Sequence, residues 1–219
     1  MYLAIEGVIG VGKTTLARML QSSFEANLLL EVFEENPFLS DFYADRERYA
    51  FQTQIFFLLS RYRQQSHNVP KMLAQGKHLI GDYTFEKDSL FASINLQGDE
   101  LEMYYRVHEA LAEKIPAPDL IVYLRASTKT LMQRIALRDR AYERQMEQAY
   151  IDQLNAAYDH FLLDTHLTSP VLVIETDEMD YVRHAEDLRW IENRIRQAVQ
   201  LPPFQPELPM PNRNGHPPA

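Results

Sequence analysis

Residues Gly7 to Thr15 read GVIGVGKTT, directly after the apolar run Tyr2-Leu3-Ala4-Ile5. This is the pattern Gly7-x-x-x-x-Gly12-Lys13-Thr14. Its glycines, Gly7, Gly10 and Gly12, let the backbone turn tightly enough to point N–H groups at phosphate oxygens. Lys13 adds a point charge for the outer phosphates, and the Thr14 hydroxyl is placed for Mg²⁺. Val11 and Thr15 are assigned to the triphosphate with the rest of the loop. A helix opening at Lys13 presents its positive dipole end to the same anions. Such a loop demands a strand before it and a helix after it. That commits the chain to an α/β fold with a parallel sheet.

The remaining pattern agrees. Short apolar runs at Tyr2–Glu6, Leu28–Phe33, His78–Gly81, Leu120–Leu124 and Val171–Ile174 predict five strands buried on both faces. Helical patterns are predicted at Lys13–Phe24, Arg46–Gln65, Glu100–Ile115, Thr128–Leu137 behind a Ser127 N-cap, Gln145–Leu163 and Tyr181–Val199. Strands alternating with helices predict helices on both sheet faces. One domain is expected over 1–200. The tail 201–219 carries seven of the twelve prolines, a composition that cannot pack and predicts disorder. The chain has no cysteine, which fits a reducing, cytoplasmic setting. No leader or membrane-spanning segment is expected. Against 22 Lys and Arg stand 31 Asp and Glu, a net charge of −9, which argues against a nucleic-acid polymer as partner.

Three segments bear on what receives a phosphate. EVFEENPFLSDFY (Glu31–Tyr43) places carboxylates after the second strand, at the sheet edge where α/β proteins bind ligands. A carboxylate there can accept the proton of an attacking hydroxyl. Gln54, Phe57 and Arg61 share one helical face; from spacing alone this reads first as an exposed stripe beside the apolar core stripe, and otherwise as an amide, an aromatic and a guanidinium suited to a flat base. Residues Arg125–Arg144 hold six basic and two acidic side chains. Among them, Arg134 and Arg138 lie one turn apart and Arg140 follows, a set able to stabilise a transferring phosphoryl group.

With GxxGxGKTT, EVFEENPFLxxFY, RYAFQTQIFFLLSRY, GDYTFEKDxLFA, PDLIVYLRAS and RIALRDRxYE in place, Met1 to Leu163 resembles the deoxynucleoside kinases, especially the bacterial deoxyguanosine/deoxyadenosine kinase branch. The resemblance implies a P-loop NTPase-like sheet with an arginine-rich lid, ATP and Mg²⁺, a small deoxynucleoside acceptor and a homodimer. It makes Glu31 the base for the 5′-hydroxyl, with Glu34 the alternative. It sets Tyr43 and Glu143 at the sugar 3′-hydroxyl, and Gln54, Arg61 and Asp88 at the base. Leu39 and Phe57 become pocket walls, Arg134, Arg138 and Arg140 lid arginines, and Asp82 a Mg²⁺ and substrate-side carboxylate with Thr14. One departure stands out. Many members carry Asp/Glu-Arg-Ser after the third strand; here the segment is Asp82-Tyr83-Thr84, and Lys87 is the candidate for the missing charge. The rival readings are a nucleoside monophosphate kinase, which needs arginines for an anionic acceptor, and a non-kinase nucleotide switch.

Overall fold

A computed structural model describes residues 1–32, 35–144, 146–164 and 167–203. Five parallel strands form one sheet in the order β2-β3-β1-β4-β5. They are β1 Tyr2–Glu6, β2 Ala26–Leu29, β3 His78–Gly81, β4 Leu120–Arg125 and β5 Val171–Glu175. The central strand pairs on both sides, Leu3 with Ile80 and with Leu120. All five of its residues are buried, Tyr2 to Ile5 as their apolar run requires and Glu6 with them.

The helices are α1 Lys13–Leu20, α2 Leu39–Ala44, α3 Arg46–Leu73, α4 Lys87–Asn95, α5 Gly98–Ala112, α6 Thr128–Arg138, α7 Gln148–Asp159 and α8 Ala185–Ala198. From β1 the chain steps to the β2 edge, then reverses to β3 and crosses to β4 and β5. With right-handed crossovers, that reversal puts α1 on one face and α3 on the other. The α8 residue Arg196 packs over the Phe24 ring and donates to the Ser23 carbonyl, which sets α8 beside α1. Ser127 caps α6, accepting from the Thr130 N–H at 3.3 Å.

Several boundaries differ from the sequence pattern. The strand β2 stops at Leu29 rather than Phe33, because side chains take over its backbone partners. Gln64 Nε2 donates to the Leu30 carbonyl at 2.8 Å, and the Glu31 N–H donates to Asp82 Oδ1 at 2.7 Å. Phe33 and Glu34 lie outside the described residues, as does the tail beyond 203. Helix α3 runs on to Leu73 through Pro70, which removes only one ladder bond near the helix end. The short helix α2 and the helix α4 were hidden by their mixed composition, and α8 begins at Ala185 rather than Tyr181. Toward its end α7 widens into a π turn over His160–Asp164.

Candidate active site

The phosphate loop joins β1 to α1, and its geometry explains its glycines. Gly12 has φ +107°, and a Cβ there would lie 2.1 Å from the Tyr181 hydroxyl. A Cβ on Gly7 would meet the Leu124 carbonyl at 2.3 Å. Tyr181, from the turn before α8, donates toward the Gly12 carbonyl at 3.3 Å. The Lys13 ammonium folds back on the loop, donating to the Gly7 carbonyl at 2.6 Å. Burial, then repulsion from Lys87, brings its pKa down to about 8. Thr14 Oγ1 donates to Asp82 Oδ2 at 2.5 Å. A hydroxyl and a carboxylate oxygen thus stand side by side at the loop mouth, hard donors of the kind Mg²⁺–nucleotide complexes use.

From this loop a pocket runs along α3. Ile9, Gly10, Lys13 and Thr14 line one end, and Leu39, Tyr43, Gln54, Phe57, Arg61 and Glu143 the other, with Glu31 and Asp82 between. Gln54 and Arg61 are both buried, so their stripe on α3 is a pocket wall rather than a solvated face. Arg61 is held from three sides. Its Nε and Nη2 donate to Glu31 Oε1, the former at 2.9 Å, and Nη1 pairs with Asp88. Its guanidinium stacks 4.5 Å from the Phe57 ring centroid. Asp88 is fully buried behind Arg61 rather than on the pocket surface. Lys87 Nζ donates to Glu31 Oε2 at 2.8 Å. Burial alone would raise the Glu31 pKa, but Arg61 and Lys87 outweigh it and hold the carboxyl well below the usual range.

The far end closes over the pocket through the turn Ala141–Glu143. Tyr142 stacks on Tyr43 at 6.0 Å between centroids. Arg138 donates in bidentate fashion to the buried Glu143 carboxylate, at 2.6 and 3.1 Å, and Arg140 approaches it at 3.6 Å. Burial, first, and neighbouring Tyr150 and Glu143 raise the Tyr43 pKa well above its usual value, so Tyr43 keeps its proton. Arg134 does not join this pair. It donates to the Val11 carbonyl, to the Thr176 hydroxyl and, at 2.6 Å, to the Thr176 carbonyl, tying the loop to the turn after β5.

Three features escape a reading of the sequence alone. Glu6, buried at the end of β1, accepts from the Thr84 N–H at 2.5 Å and hydroxyl at 2.9 Å, and from the Gly7 N–H at 3.3 Å. It binds the end of β3 to the phosphate loop; an acid closing an apolar strand was its only signal. Tyr83 donates to Gln64 Oε1 at 2.6 Å. With Gln64 held on the Leu30 carbonyl, this makes an uncharged brace behind Glu31. On the pocket wall itself, the buried Thr53 Oγ1 has no hydrogen-bond partner among the described residues.

A phosphate loop on a parallel sheet, opening into a pocket with a buried carboxylate, defines a P-loop nucleotide-binding protein built to hold a second, small ligand. The deoxynucleoside kinase family profile matches residues 3–200. A deoxyguanosine kinase of Bacillus subtilis (strain 168) is 34% identical over 201 residues, 90% of this chain and 97% of the relative. A deoxyadenosine kinase of Dictyostelium discoideum is 34% identical over 182 residues, 81% of this chain and 73% of the relative. The deoxyadenosine kinase of M. mycoides, solved with the products dCMP and a flexible dCDP, superposes with a TM-score of 0.78 at 26% identity, covering 90% of this chain and all of that one. The chain belongs to the deoxynucleoside kinase family, and is therefore an enzyme of the kinase class.

Proposed function

We propose that this protein transfers the γ-phosphoryl group of ATP to the 5′-hydroxyl of a 2′-deoxynucleoside, favouring a purine, in nucleotide salvage. One observation carries this reading: Glu31 stands in the same pocket as Lys13 and Thr14, between the phosphate loop and a wall of Phe57, Leu39 and Tyr43. The acceptor is uncharged on this reading, since Arg61, the guanidinium on the acceptor wall, is already engaged by Glu31 and Asp88. A nucleoside monophosphate would need arginines that are not so engaged. The deoxyguanosine and deoxyadenosine kinases among the relatives support the purine.

In the proposed mechanism Glu31 accepts the 5′-hydroxyl proton while the 5′-oxygen attacks the γ-phosphorus. The loop N–H groups and Lys13 bind the triphosphate. Thr14 and Asp82 would hold Mg²⁺, which supplies charge neutralisation at the outer phosphates. Arg138 and Arg140 act as a lid over the transferring group and exclude water, while Arg134 fixes the loop they close upon. Tyr43 and Glu143 take the sugar 3′-hydroxyl. Gln54 reads the base edge, and Arg61, fixed by Asp88, presents its face beside Phe57. No described helix is long and apolar enough to cross a membrane. A homodimer fits the exposed Leu59 on α3 and Met103 on α5, while Leu58 serves the core.

Label transfer from ATP with Mg²⁺, run over the four deoxynucleosides and their ribo counterparts, tests the reading. Deoxyguanosine or deoxyadenosine is expected to be labelled fastest. If no unphosphorylated nucleoside is labelled, the reading fails; labelling of monophosphates instead transfers it to the rival kinase class.

A further inference from the structure

Lys87 sits where a lysine is hard to keep. It is the first residue of α4, where the helix dipole disfavours a cation, and it is only 3% exposed. Its ammonium lies 5.4 Å from the Tyr83 ring centroid and donates to Glu31 Oε2. Its backbone N–H donates to Thr84 Oγ1 at 3.3 Å, and Thr84 is held by Glu6, so the base of the side chain is fixed to the phosphate loop. The same pocket holds the Lys13 ammonium. A buried cation and a half-buried one facing one cavity call for an anion between them.

The two cations on Glu31 differ in freedom. Arg61 is pinned at once by Glu31, Asp88 and the Phe57 face, and cannot leave. Lys87 has a flexible four-carbon stem, and among the described residues its one hydrogen bond from Nζ is to Glu31. While both hold the carboxylate, Oε1 and Oε2 are each occupied, and Glu31 is a poor proton acceptor. An incoming triphosphate brings strong negative charge to the Lys13 end of the cavity.

Resting on the kinase reading, we propose that Lys87 is a catalytic residue that switches between two anions. It holds Glu31 Oε2 when no donor is bound, and moves onto the γ-phosphoryl oxygens when ATP binds, freeing Oε2 for the nucleoside proton. In the transfer the bond from the 5′-oxygen to the γ-phosphorus forms. The bond from that phosphorus to the β–γ bridging oxygen breaks, and its electron pair leaves with ADP. The 5′-hydroxyl proton goes to Glu31 Oε2; Lys87 keeps its own. Donor binding thereby turns on the base.

The test uses the full chain with Lys87→Met and Lys87→Arg. In Lys87→Met, kcat falls about 10²-fold while the nucleoside KM stays within about twofold. Affinity for a non-hydrolysable ATP analogue falls about tenfold, with ADP affinity unchanged, since ADP lacks the γ-phosphoryl group. Lys87→Arg retains the preference for the ATP analogue over ADP. A purely structural lysine would lower the melting temperature and leave the ATP-to-ADP affinity ratio where it was, and that result overturns the proposal. Should Lys87→Met not fold, Lys87→Gln reads the same ratio. If wild-type protein labels no nucleoside, the kinase reading has failed; if it does label one and the ratio does not move, only the role of Lys87 has.

Discussion

The two ends of the pocket are built on different principles. At the donor end nine consecutive residues, Gly7 to Thr15, present mostly backbone, and their φ values and close approaches leave no room for Cβ atoms at Gly7 or Gly12. At the acceptor end the polar groups are side chains drawn from the end of β2, α3, α4 and the turn Ala141–Glu143, and buried charges hold one another in place. A backbone site is fixed by local conformation. A side-chain site is fixed only once every partner has arrived, so it is vulnerable to the loss of any one.

The largest expected effect breaks the acceptor end at its hub. Arg61→Leu leaves the fully buried Asp88 without its cation and Glu31 with Lys87 alone. Removing one partner from a buried pair costs roughly 3–5 kcal/mol. Denaturant unfolding should show a loss of that order, and Arg61→Leu with Asp88→Leu should recover a large part of it. If the single variant is as stable as wild type, the charges are solvated and the contrast collapses.

Glu31→Gln separates chemistry from assembly. The amide keeps the shape but cannot take a proton, so turnover should fall on the order of 10² or more, about 2.7 kcal/mol at the transition state. Nucleoside binding by calorimetry should largely survive. Normal turnover would move the base to Asp82 or Glu34.

How much of each end was legible in the sequence follows the same division. The phosphate loop was readable whole, because its function depends on contiguous residues with a fixed spacing. The five strands were readable too, since burial on both faces leaves unbroken apolar runs. The residues Gln54, Phe57 and Arg61 could be grouped by helical period, but not their engagement with Glu31, which lies 30 positions away from Arg61. Helix α4 escaped because its first turn carries Lys87 and Asp88, charges that a pattern assigns to a surface and the fold buries. The end of β2 was misplaced because Gln64 and Asp82, distant in the chain, replace its ladder partners. Glu34 lies outside the described residues, and the Glu31→Gln variant decides between the two carboxylates.

A subtler difference between the ends is in protons. Burial and Lys87 lower the Lys13 pKa to about 8 in the free protein. Between that value and the usual one the folded chain holds fewer protons than the unfolded chain, so stability rises with pH across this window. A bound triphosphate reverses the shift by pairing the ammonium. Nucleotide binding near pH 9 should therefore take up about one proton per site. Calorimetry in two buffers of different ionisation enthalpy measures it directly, and Lys13→Met should abolish the difference. Equal heats for the wild-type protein would mean that the ammonium is already charged and solvated.

The smallest effect belongs to the acceptor end's own rim. Arg46 Nη2 meets Glu147 at 3.1 Å, and its guanidinium lies 4.6 Å from the Tyr150 ring centroid, joining the start of α3 to the segment before α7. The chemistry is that of Arg61 with Glu31, a guanidinium between a carboxylate and an aromatic face. The difference is water: the side chains of Arg46 and Glu147 are 36% and 70% exposed. At that exposure screening and side-chain entropy cancel most of the Coulomb attraction, leaving about 0.2–1 kcal/mol. Glu147→Ala should thus shift the unfolding midpoint barely, and less still in high salt, with turnover unchanged. A loss near that of Arg61→Leu would show that geometry rather than burial sets the strength of these pairs, and the distinction between wall and rim would have to be abandoned.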